Sequence, residues 1–146
     1  MAQQAPKQTI DLATAKKMVA AAEAAAVAMN QHVAICVMDT NGDVVLAERM
    51  DGTPHVPVIT AQGKAKAVLI FGIPTRDIAQ AIADKKPIAA TVKNPPMGYG
   101  GEVTLMRGGL PILKDGVLIG AIGAGGSASE NDEKFAQAGI DAINAK

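Results

Sequence analysis

Phe71, Tyr99 and Phe135 are the only aromatic side chains in this 146-residue sequence, and tryptophan is absent. Aromatic rings supply the largest blocks of apolar surface to a core. Here the core has to be assembled from Ala, Val, Ile, Leu and Met, which fill space only if the elements carrying them approach closely. That scarcity also argues against a generic pocket walled by rings for a large flat cofactor.

Fourteen basic and fourteen acidic residues give no net charge, and no like charges cluster in runs. Electrostatic capture of nucleic acid or of an anionic membrane surface is therefore not expected. No apolar run reaches the roughly 18 residues of a membrane span. The opening "MAQQAPKQTID" lacks the basic and apolar regions of a signal peptide. A cytoplasmic location is expected, although a secreted chain already trimmed of its signal reads the same. Cys36 is the single cysteine, so neither an internal disulfide nor a cysteine-rich zinc site can form. Two histidines, His32 and His55, are too few for a multi-histidine metal site. The length fits one domain, 1–146, with 1–8 as a flexible tail. Its 49% hydrophobic content exceeds what a modest core hides, which implies self-association as a homo-oligomer.

Residues 12–29 place Leu12, Ala15, Val19, Ala22, Ala26 and Met29 at helical spacing, with Thr9 or Asp11 as cap. "HVAICVMD" (32–39) and "DVVLAERM" (43–50) flank an Asn-Gly turn and read as a β-hairpin. Val58 to Phe71 reads as a second helix, with Pro57 in its first turn and Gly72 closing it. Thr75 caps a third, "RDIAQAIADKK", and 87–101 is an irregular Pro/Gly-rich loop. Strands are expected at 102–107, 110–114 and 117–124, with turns at Gly108-Gly109 and Asp115-Gly116. Ser129 opens a last helix with Asp132 in a capping-box position and Phe135, Ala138 and Ala142 on its inner stripe. The order α-ββ-αα-βββ-α calls for an antiparallel sheet with helices on both faces, an α+β fold.

Two stretches, "RMDG…KAKAVLIFGIPT" and "GGLPILKDGVLIGAIGAGGSASENDEKFAQAG", resemble the GlcG/HbpS family, which includes the C-terminal domain of PduO-type proteins. The resemblance spans about residues 9–144. It implies a profilin-like three-layer α/β/α fold with a five-stranded antiparallel sheet. It further implies that haem is a candidate ligand, since some relatives bind, degrade or sense it, and that assembly into oligomers is common. The sequence departs from the family pattern at Pro57, where a Ser is usual, and at Lys66-Ala67, where Arg-Thr follows the matching Lys64. The usual Gly-Val-Ser-Gly is here Gly123-Ala124-Gly125-Gly126, and His55 replaces a small or apolar residue.

Candidate site residues follow from chemistry and from the resemblance together. In "RMDGTPH" (49–55), Asp51 and Gly52 form a turn that can aim Arg49 and His55 at a ligand. Lys64 matches the family's recurring lysine. Asp132 and Glu133 start the last helix, where one carboxylate suits the helix dipole and the other is free to face a cavity. Tyr99 lies in the longest irregular stretch. A phosphate-loop reading of "GAGGSAS" fails for want of a following Lys and because adjacent acids repel phosphate. Cys36, mid-strand among apolar neighbours, reads as a buried inert thiol.

Three function classes stand at this point. A binding protein holds haem or a small organic acid with Arg49, Asp51, Tyr99 and Asp132, and His55, Tyr99 or a Met serves as axial ligand. A cofactor-independent enzyme uses His55, Lys64 and Glu133 for acid/base isomerisation, elimination or hydrolysis of a small carbonyl or carboxylate compound. A purely structural subunit only assembles with copies of itself.

Overall fold

The protein is described by a computed structural model over residues 8–87 and 103–144. Its elements run α1 (Leu12–Ala28), β1 (Ala34–Asp39), β2 (Val44–Arg49), α2 (Val56–Phe71), α3 (Thr75–Ala83), β3 (Gly109–Lys114), β4 (Val117–Gly125) and α4 (Ser129–Asn144).

Turn chemistry sets the sheet. The Asp39 carboxylate accepts the N–H groups of Asn41 at 2.9 Å and Asp43 at 3.1 Å, closing the β1–β2 hairpin. Asp115 and Gly116 both adopt positive φ, 52° and 78°, as a two-residue hairpin turn between β3 and β4 requires. β4 then pairs with β1, giving the antiparallel order β2-β1-β4-β3. β3 is an outer edge and carries Pro111.

The two faces are covered unequally. α1 and α4 lie together on one, burying Met18, Val19, Val37, Ile122 and Phe135. α2 lies on the other, over Ala34, Cys36, Met38 and Ala121, with the start of α3 beside it against β3. This is an α+β architecture in three layers. The small side chains do what the aromatic scarcity demands: a Cβ at Gly123 of β4 would meet the Ala61 carbonyl oxygen of α2 at 2.1 Å. The glycine is the reason α2 can lie against the strand.

Helix ends follow local chemistry with instructive shifts. Asp11 caps α1 by accepting the Thr14 N–H at 2.7 Å. Thr9 instead donates its hydroxyl to Ile119 O, and Ile10 N–H bonds the same carbonyl, so the chain is tied to β4 from residue 9. Gly72 closes α2 at φ 75°. Thr75 sits inside α3 with Pro74 in the cap position, because its hydroxyl is taken by the Gly109 N–H at 3.1 Å. In α4 the buried positions are Asp132, Glu133, Phe135, Ala136 and Gly139; Ala142 is exposed, which corrects the expected stripe.

The expected strand at 102–107 does not form over 103–107, and the sheet of the described residues has four strands where five were expected. The chain there lies against α2: a Cβ at Gly63 would meet Thr104 Oγ1 at 2.4 Å and Thr104 N at 3.0 Å. Packing on a helix takes precedence over the period-two pattern. Residues 1–7, 88–102 and 145–146, which hold most of the expected tail and nearly all of the 87–101 loop, lie outside the described residues. No single helix among the described residues is long and apolar enough to cross a membrane.

Candidate functional site

Because α2 packs mainly on β4 and β1, the β2 side of its face stays open among the described residues. The result is a groove of about 280 Å³ between α2 and β2. Ala34 and Cys36 of β1 make its floor, Ala47 of β2 and Val58 and Ala61 of α2 its walls, and Arg49 and His55 its lip. Strand alternation selects this set, since Ala47 opposes Cys36 and Arg49 opposes Ala34 on one face of the pleat.

Among the described residues, the fold gives neither lip side chain a capping bond or an ion pair. His55 stands at the start of α2 with helical backbone angles, φ −69° and ψ −40°, and its side chain makes no capping hydrogen bond. Arg49 is exposed and forms no ion pair among the described residues. Asp51 is exposed beyond the lip, and with Glu23, His32, Arg49 and Met50 it lines a second hollow of about 400 Å³. Within the same loop the Thr53 hydroxyl is buried without a hydrogen-bond partner among the described residues. Burial pushes the Cys36 thiol up to about 12 and so keeps it protonated, as the sequence suggested.

Lys64 leaves the middle of α2 for a different place. Its Nζ is buried, donating to Ala124 O at 2.7 Å and to Asp132 Oδ2 at 2.9 Å. Asp132 Oδ1 accepts the Ser127 N–H at 3.0 Å, so the carboxylate also caps the turn into α4. Gly108 makes room for this pair: a Cβ there would lie 2.8 Å from Lys64 Nζ and 3.0 Å from Asp132 Cβ. Burial pushes the Asp132 carboxyl above its ordinary value, against the opposing pull of Lys64. Glu133 sits one residue on and accepts from Arg76 of α3 and from Arg107 Nη2 at 3.0 Å. Burial pushes its carboxyl up, but hydrogen bonds and charge from Arg107 and Arg76 outweigh that and hold it below the usual range.

The predicted residues thus fall into separate groups. Arg49 and His55 share the groove, Arg49 and Asp51 share the hollow, and Lys64 meets Asp132. Lys64 follows His55 by nine residues, about 13 Å along the helix axis, and neither Lys64 nor Glu133 lines the groove. Tyr99 lies outside the described residues. Sequence reasoning missed Arg76 and Arg107. Their signal was composition: the chain has three arginines, and two of them converge on one glutamate.

Comparison with known proteins agrees with this architecture. Residues 10–141 match the family model described as "Haem degrading protein HbpS-like". An uncharacterised 15.0 kDa protein from the dhaT-dhaS intergenic region of Citrobacter freundii is 30% identical over 136 residues, 93% of each chain. The crystal structure of Klebsiella pneumoniae protein ORFY superposes with a TM-score of 0.83 at 28% identity, covering 100% of this chain and 98% of that one. A PduOC:heme complex shares the fold at a TM-score of 0.79 and 23% identity, over 93% and 96% of the two chains. The family resemblance read from the sequence is borne out.

Proposed function

We propose that this chain, which belongs to the HbpS-like family, is a small-ligand-binding protein whose groove between α2 and β2 takes haem or a small organic acid. One observation carries the reading: a mostly apolar groove, with Glu48 on its β2 wall, ends in a histidine without a capping bond and an arginine without an ion pair among the described residues. Groups without a structural duty at the mouth of a cavity are what ligand recognition requires.

The donor set suits haem chemically. His55 offers an imidazole for axial ligation, Arg49 a guanidinium for a propionate, and the aliphatic floor a surface for the ring. The groove's roughly 280 Å³ falls just below the usual range of ligand cavities, about 300–1,000 Å³. It holds one edge of a macrocycle, or the whole of a small organic acid. Haem supplies the iron chemistry when bound; the chain's residues bind and orient it. The family description and the haem complex of a fold neighbour support this ligand.

The acid/base reading with His55, Lys64 and Glu133 has less support. Lys64 already holds Ala124 and Asp132, and two arginines hold Glu133 ionised. Self-association remains a proposal, supported by exposed Val44, Val56 and Ile59. Light scattering at 14.9 kDa would refute it.

Titration of the purified protein with haemin, followed in the Soret band, tests the ligand. A saturable shift is expected, weakened about tenfold or more in His55→Ala, the scale of one lost contact of about 1.4 kcal/mol. The absence of any shift, or His55→Ala and Arg49→Ala variants that both bind like the parent, overturns the reading.

A further inference from the structure

A cavity that shares no residue with the groove is lined by charged and apolar side chains together. It is an open hollow of about 420 Å³ between α3 and residues 105–107. One tie in the fold brings its two arginines together. Thr75 Oγ1 accepts the Gly109 N–H at 3.1 Å, and a Cβ at Gly109 would meet Thr75 Cγ2 at 2.7 Å, so the start of α3 lies against the start of β3. Arg76 follows that threonine and Arg107 precedes that glycine by two residues, so both reach Glu133 Oε1 from different elements. On α3, Arg76, Ala79 and Gln80 stand at i, i+3 and i+4 and line the hollow together. We propose that this hollow binds a small α-amino acid with an apolar side chain, its carboxylate held by Arg76 and Arg107 and its ammonium by Asp77.

Charge and lining both select that class. The Glu133 side chain is 10% exposed and does not line the hollow, whereas the Arg76 and Arg107 side chains that do line it are 46% and 42% exposed. Arg76 gives Nη1 to Glu133, and Arg107 gives Nη2 at 3.0 Å and Nε at 3.4 Å. A guanidinium has five N–H donors, so each arginine keeps donors that Glu133 does not take. The shared carboxylate also orders two long side chains before a ligand arrives, which lowers the entropy cost of binding. Asp77 lines the same hollow and is half exposed, its Oδ1 3.5 Å from Arg76 Nε, longer than an ordinary hydrogen bond. Two guanidiniums against Glu133 and Asp77 leave the site near neutral, which suits a zwitterion better than a bare anion. Glu130, the other carboxylate that acts on Arg107, is exposed to water in the first turn of α4. Ala79, Leu105 and Met106 supply the apolar lining, and Met106 is exposed, so a ligand side chain laid on it removes apolar surface from water.

The chain has three arginines, so their Nε–Hε groups give three NMR resonances, and that of Arg49 reports on the groove. L-Leucine as probe should move the resonances of Arg76 and Arg107 saturably and leave Arg49 in place. The dissociation constant should be on the order of 1 mM, as befits so open a site. Isocaproate, which is leucine without its ammonium, should bind about fivefold more weakly, the upper end for one exposed charge pair. Glycine, which lacks the apolar side chain, should also bind more weakly than leucine. Asp77→Asn should erase the preference for leucine over isocaproate while both ligands still move the two arginines. Resonances of Arg76 and Arg107 that do not respond to leucine, or a response of Arg49 alone, overturn the proposal. Isocaproate or glycine binding as tightly as leucine overturns it too, as does an Asp77→Asn protein that keeps the preference. None of these results touches the haem reading, which concerns Arg49 and His55.

Discussion

Replacing Asp132 by alanine should be among the most damaging single changes available to this chain. The Lys64 ammonium and the Asp132 carboxylate are each 3% exposed, and the ammonium has two partners, Asp132 Oδ2 and Ala124 O. Without the carboxylate a buried positive charge keeps a single carbonyl, and the Ser127 N–H loses its acceptor as well. Breaking a buried pair in this way costs about 3–5 kcal/mol. At about 2–4 °C per kcal/mol for a domain near this size, the melting temperature should drop by roughly 6–20 °C. Urea unfolding followed by circular dichroism gives the free energy directly. The double variant Lys64→Met, Asp132→Leu should recover much of the loss, because apolar residues of similar volume remove the desolvation cost along with the attraction. If Asp132→Ala loses less than about 1 kcal/mol, or the double variant is as unstable as the single, the ammonium is solvated and the reasoning fails.

Glu133→Gln should cost about 1 kcal/mol at neutral pH, a small figure because Arg76 and Arg107 are nearly half exposed. The Glu133 carboxyl is held below its ordinary value of 4.5, so its contribution is present above that pH and fades as pH falls through the folded value. Stability curves of parent and variant should converge in acid, and a gap that widens there contradicts the ion-pair account. Gly123→Ala forces a methyl toward Ala61 O at 2.1 Å and should cost about 3 kcal/mol or more, read as a lowered melting temperature. A near-neutral result would mean that α2 does not lie as close as described. The Cys36 thiol, buried and pushed up to about 12, should react with a thiol reagent at pH 8 only as fast as the protein opens. Rapid stoichiometric labelling of the native protein contradicts its burial.

The hairpins were legible because Asp115-Gly116 encodes its turn in two adjacent residues, and Asp11 and Gly72 mark helix ends equally locally; the Asn41-Gly42 pair marked the other turn, but there only Gly42 takes positive φ, in a four-residue loop closed by the Asp39 carboxylate. "EVTLMR" misled because its alternation is genuine, while the packing of Thr104 on α2 is decided by residues far away in the chain. Lys64 shows the same limit. Lysine is ordinarily exposed, and the partner that buries this one is 68 residues distant. The groove was half legible: the 49–55 stretch announced its polar lip. Its apolar floor depends on α2 leaning toward β4 and away from β2, a tertiary fact that no local pattern encodes. The resemblance supplied the family, and with it the reason to ask about haem.

The proline in β3 has a consequence for the crowded solution around the protein. An open sheet ends in two rows of backbone groups able to recruit strands from other molecules, the usual route to fibrils. Pro111 has no N–H to offer on one border, and on the other Glu48 and Arg49 place opposite charges side by side where an incoming strand would have to dock. Growth of the sheet from molecule to molecule is therefore discouraged at both borders.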